Sequence, residues 1–103
     1  MLHPRLASGN SSVIVFLVRV LMDLVAEMRS RIMAAHPDAE IEFNDLTGGG
    51  DHWQATIVAP TFDGLSRIAR QRSIYAALGE LMHGPVHAFT MRTLTPAEAA
   101  QEN

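Results

Sequence analysis

A chain of 103 residues makes one domain, long enough for a modest core and too short for two. At 48% hydrophobic and 18% charged it falls among folded globular proteins and outside the disordered class. The formal charge of −3 excludes a surface uniformly attractive to nucleic acid, and the absence of cysteine excludes disulfides and any thiolate-only metal site supplied by this chain alone.

Residues 1–20 read as a flexible N-terminal extension. Val13 to Val18 (VIVFLV) is apolar, but Arg19 and Asp23 soon interrupt the run, and a membrane span needs roughly 18 or more apolar residues. No membrane segment is expected. The N-terminus is a poor match to the basic start and small-residue cleavage site of a secretory signal, so a reducing cytoplasm is the expected compartment. Met22 reads as an alternative start, since MDLVAEMRSRIM already begins the domain pattern.

The domain itself is expected over residues 21–101. Leu21, Leu24, Val25, Met28 and Ile32 recur at helical spacing, with Glu27 and Arg31 paired at i,i+4 on the other side. Pro37 predicts that this helix stops by His36. Ile41 and Phe43 alternate with Glu40, Glu42 and Asn44, the pattern of a half-buried strand. Residues 47–51 (TGGGD) read as a mobile loop. A second strand comes next, with Trp53, Ala55 and Ile57 on its inner face, completing a hairpin.

Pro60 ends that strand, Asp63-Gly64 is a turn, and Ser66 is the expected N-cap of a helix running to about Met82. Ile68, Tyr75, Leu78 and Met82 define its expected core stripe, widened by Ile74 and Leu81. Gly84-Pro85 stops it, a strand runs from Val86 to Thr93, and Thr95 before Pro96 caps a short last helix. Strand, helix and strand form a crossover, so the second and third strands pair in parallel. The expected architecture is a single small α+β domain of order α-β-β-α-β-(α), with a three-stranded mixed sheet and helices on one face.

Few side chains carry chemistry. His87 opens the last strand on the side of Phe89 and Met91, and by spacing alone it reads first as a structural histidine. His52 opens the second strand; if the two strand ends lie together, both imidazoles could share one metal. Two histidines cannot complete an iron–sulfur site, so any cluster would need thiolates from a partner. His3, His36 and His83 read as structural or solvated. Arg67, Arg70 and Arg72 crowd the start of the second helix, either as a solvated face or as a patch for an acidic partner or phosphates. Gln71 lies seven residues before Leu78 and is therefore expected on the apolar face. The GGG loop lacks the Lys-Ser/Thr of a P-loop, no nucleophile motif or carboxylate pair is present, and no enzymatic activity is expected. The six methionines read as core filler.

Three segments, FDGLSRIARQRSIYAAL, GPVHA and TLTPAE, together with the element order, resemble the BolA family over roughly residues 22 to 100. The glycine loop and the histidine before an aromatic (GGGDHW) are similar to its IbaG-like subgroup, which lacks the loop cysteine of many members. The resemblance implies a fold similar to the class II KH domain. It also implies a monothiol glutaredoxin as partner, which contributes a cysteine and bound glutathione to a bridging [2Fe–2S] cluster. His87 matches the family's cluster or metal ligand, and His52 stands in for the missing cysteine as second ligand. Some members bind DNA through the region matching Leu65 to Tyr75. Gly64, Arg67, Arg70, Gln71 and Arg72 are accordingly the expected partner- or nucleic-acid-binding residues, with Gln71 standing where many members carry histidine. The function implied is a non-enzymatic adaptor in iron–sulfur trafficking; the alternative is a DNA-binding regulator. Self-association is left open.

Overall fold

The computed structural model describes residues 3–50, 52–84, 86 and 88–102, with side chains from Ser12 onward. Helix α1 (His3–Ala35) precedes strands β1 (Glu40–Asp45) and β2 (His52–Val58), a 3-10 turn (Pro60–Phe62) and helix α2 (Arg67–Leu78). A second 3-10 turn (Gly79–His83), strand β3 (Ala88–Leu94) and helix α3 (Pro96–Gln101) complete the chain. The order is the expected one. The sheet is mixed, in the order β1-β2-β3. β1 runs antiparallel to β2 from Glu40 opposite Val58 to Asp45 opposite Trp53. β2 runs parallel to β3 from His52 opposite Ala88 to Val58 opposite Leu94.

Alternation places the strands. Ile41, Trp53, Ala55, Ile57 and Phe89 point to one face and are buried there, against Met28 and Ile32 of α1 and Ile74 and Leu78 of α2. Glu40, Glu42, Asn44, Thr90 and Arg92 point to the open face and are exposed. Phe62 and Val86 fill the ends of the core at 0% exposure. Thr95 and Glu98 form a complete capping box at the start of α3.

Three features differ from the sequence reading. α1 begins at His3 instead of near Leu21: neither glycine nor proline interrupts it between residues 10 and 36, and Pro4 falls in its first turn, where proline is tolerated. The first stretch is helical, and from Val13 to Val18 its apolar side chains lie on every side, so no amphipathic stripe marks it.

The buried face of α2 is Arg70, Ile74 and Leu78, whereas Ile68 is 60% and Tyr75 40% exposed. That α-helix ends at Leu78, not Met82; the last turn tightens to 3-10 geometry, and Arg31 of α1 donates to the Leu78 carbonyl at 3.0 Å. The third difference is the glycine loop. The Asp45 carboxylate accepts from Gly48 N (3.0 Å) and Gly50 N (2.9 Å), and Thr47 Oγ1 accepts from Gly49 N at 3.2 Å. It is a tied turn.

Candidate functional site at the strand ends

His52 is the first residue of β2, exposed, directly after the tied loop. Its neighbour Trp53 is 4% exposed, and its indole nitrogen donates to Gly50 O at 2.8 Å. Trp53 also meets Phe43 edge-on, with ring centroids 6.3 Å apart. The backbone at His52 is thereby fixed from both sides. Gly50 has φ +80, and a Cβ there would run into the Leu21 side chain, so this position requires glycine to let the loop close onto α1.

The parallel ladder sets the other half of the site. His52 lies opposite Ala88, the residue after His87 in sequence. His87 lies outside the described residues. Tyr75 reaches the same end of β3 from α2, its hydroxyl donating to Phe89 O at 3.0 Å. Among the described residues, no group of three or more His, Cys, Asp or Glu side chains gathers as a metal site.

The expected basic face is only partly a face. Arg67, Gln71 and Arg72 are exposed, and Gln71 is therefore not part of the apolar side of α2. Gln71 borders the buried 70-74-78 row without joining it. Together with Arg67 it lines a groove of about 170 Å³ between α2 and the β3 edge, where Arg92 pairs with Glu102. Gly64 occupies the turn before α2 with φ +82, a conformation that favours glycine.

Arg70 corrects the expectation of a surface contact: it is 6% exposed and its donors are spent internally. Nε donates to Leu65 O (3.0 Å), Nη1 to Thr93 O (3.1 Å), and the guanidinium forks onto Glu98 at 2.8 and 3.3 Å. That contact, then the Thr95 N–H, holds the Glu98 carboxyl down at about 2.

His36 is likewise structural. It is buried, and its ring lies 4.7 Å from that of Phe62, whose other neighbour is the Arg70 guanidinium at 5.7 Å. Ser73 Oγ donates to Arg70 O (2.8 Å), so it accepts from His36 Nε2–H (2.7 Å), while His36 Nδ1 accepts from the Thr61 hydroxyl (2.7 Å). Burial pushes the imidazole below its ordinary range. Its partners lie 25 and 37 residues away, so no local spacing signals this role. His83, at the end of the 3-10 turn, is exposed.

Comparison with known proteins agrees with the fold. "BolA-like protein 1" of Pongo abelii is 34% identical over 80 residues, covering 71% of this chain and 58% of that protein. The chain thus aligns with less than two thirds of that relative's length. "Acid stress protein IbaG" of Escherichia coli K12 is 34% identical over 77 residues, covering 74% and 88%. The solution structure of BolA1 from Mus musculus superposes with a TM-score of 0.67 at 28% identity, covering 77% of this chain and 70% of that one. The family described as BolA-like protein matches residues 22–98, and the chain belongs to the BolA family.

Proposed function

We propose that this protein is a non-enzymatic adaptor that shares a [2Fe–2S] cluster, as cargo, with a monothiol glutaredoxin. The observation that carries the reading is the parallel register of β2 on β3. It sets His52 opposite Ala88, next in sequence to His87, the position the family resemblance assigns as ligand. Imidazoles from His87 and His52 would face the cluster on one side. The chain has no cysteine, so thiolates from the partner and its glutathione would complete the site. No second activity is needed: the chain offers ligands and a surface. Ligation requires neutral imidazole, so cluster sharing is expected to weaken in acid.

Mixing the protein with a cluster-loaded monothiol glutaredoxin is expected to change the visible absorption and circular dichroism. His87→Ala should abolish that change, and His52→Ala should reduce or abolish it while the far-ultraviolet spectrum is retained. An unaltered spectral change with His87→Ala removes that residue from the site.

Exposure of Arg67 and Arg72 beside Gln71 favours a second reading, binding of nucleic-acid phosphates. Burial of Arg70 leaves that face one cation fewer. A DNA titration at two salt concentrations separates the readings: no binding at low salt excludes the second.

A further inference from the structure

α1 carries two apolar faces, and the fold uses one. Leu21, Leu24, Val25, Met28 and Ile32 pack against the core. About a quarter-turn or more around the helix, Val15, Val18, Met22, Ala26, Arg29 and Met33 recur at spacings of three and four residues, the pattern of a helix–helix seam. Along its C-terminal half this second face forms an apolar groove of about 480 Å³ that includes Met22, Ala26 and Met33. Arg29 lies in the row without charging it: its guanidinium is turned away to the Ile41 carbonyl (3.0 Å) and the Phe43 ring (5.3 Å). Along the N-terminal half the same face stands out from the domain. Eight large apolar side chains between Val13 and Met22 are 45% to 65% exposed around the helix, and Val15, Val18 and Met22 among them lie in this row. Seven of those eight precede the residues that the family match covers.

We propose that α1 pairs antiparallel with α1 of a second copy, about a two-fold axis near Met22. The face is self-complementary: its projecting apolar half and its receiving groove lie on one side of the helix, to either side of Met22. A two-fold there seats each projecting half in the other copy's groove and closes the assembly. The charges agree. Arg19 and Asp23, one turn apart on one flank of the seam, straddle the axis, so each meets its opposite on the second copy. A parallel pair would instead set this flank against the opposite flank of the second copy, and Arg19 and Asp23 would not meet.

The test is the mass of the full-length chain in solution by sedimentation or light scattering. The expected mass is that of two chains. Val18→Glu with Met22→Glu should give one chain with unchanged far-ultraviolet circular dichroism, since both side chains are exposed. Arg19→Asp should weaken the dimer, and Arg19→Asp with Asp23→Arg should restore it. The natural chain has no cysteine, so Met22→Cys alone should oxidise to a disulfide-linked dimer, whereas Val15→Cys, in the same row but far from the axis, should not. A monomer at all concentrations overturns the proposal, as does efficient cross-linking through Val15→Cys, which would mean a parallel pair. Binding of the monomeric chain to phosphatidylcholine vesicles would assign the face to lipid and also overturn it.

Discussion

Replacing Arg70 by methionine keeps most of the side chain's length and removes all its donors. In the native domain that guanidinium is buried and joins four parts: the Leu65 carbonyl before α2, the Thr93 carbonyl at the end of β3, the Glu98 carboxylate of α3 and the Phe62 ring. Glu98 is half-exposed and would regain water; the Thr93 carbonyl bond is buried and its acceptor would not. Removing one member of a buried ion pair costs about 3–5 kcal/mol, and rehydration of Glu98 places the expected loss near the lower end, about 3 kcal/mol. For a domain of this size that lowers Tm by roughly 12–24 °C. Arg70→Lys should recover only part, since an ammonium cannot fork onto a carboxylate while reaching two carbonyls. Urea denaturation followed by far-ultraviolet circular dichroism measures both. The pH dependence adds a second measure. In the folded state Glu98 keeps its charge down to about 2, against 4.5 ordinarily, so its contribution is complete above pH 4.5 and is lost as the pH falls toward 2. Arg70→Met should shrink that acid limb, leaving the part owed to the Thr95 N–H. A cost under about 1 kcal/mol, the value of an exposed pair, would refute the assignment of Arg70 to the interior.

His36 supplies a separate pH response. Its folded-state pKa is depressed by burial, so the neutral ring's contribution is present above about pH 6.5 and lost as the pH falls through the lower folded value. Denaturation midpoints should therefore fall between pH 7.5 and pH 5.5 in the native chain, and more weakly in His36→Gln. Gly50→Ala should cost about 1–3 kcal/mol, because φ +80 is unfavourable for alanine and the added Cβ displaces Leu21. A thermal melt equal to that of the native chain would contradict that packing.

Where structure depends on near neighbours, the sequence shows it plainly. Alternation at Ile41 and Phe43 and at Trp53, Ala55 and Ile57 marks two strands and their inner faces, and Ser66 and Thr95 cap the helices they precede. The short crossover through α2 implies the parallel pairing that carries the candidate site. What stays hidden depends on distant partners. Arg70 reads as surface because its charge is visible locally, while the carboxylate that permits its burial lies 28 residues later. With Arg70 inside, the buried row of α2 becomes 70, 74 and 78, and Ile68 and Gln71 fall outside it. The glycine run reads as mobile by composition; its order comes from one carboxylate just before it, Asp45. The helix before Leu21 is hidden for a different reason: an all-round apolar run has no stripe to detect.

The tied loop has a consequence for the proposed cluster sharing. A ligand held in place before binding loses less freedom when it coordinates than one on a floppy loop. His52 begins β2 immediately after a turn whose amides converge on Asp45, and beside a tryptophan anchored to Gly50. Asp45→Ala touches no proposed ligand and removes two charge-assisted hydrogen bonds at a partly exposed site, a loss of about 1–2 kcal/mol in stability. The domain should remain folded, because the core strands and helices lie elsewhere. Cluster sharing with a monothiol glutaredoxin should nevertheless weaken several-fold, read as a higher protein concentration for half the change in visible circular dichroism. Asn at this position keeps one acceptor oxygen and should fall between the two. If Asp45→Ala shares cluster as well as the native chain while His52→Ala does not, the imidazole acts without its loop, and preorganisation plays no part.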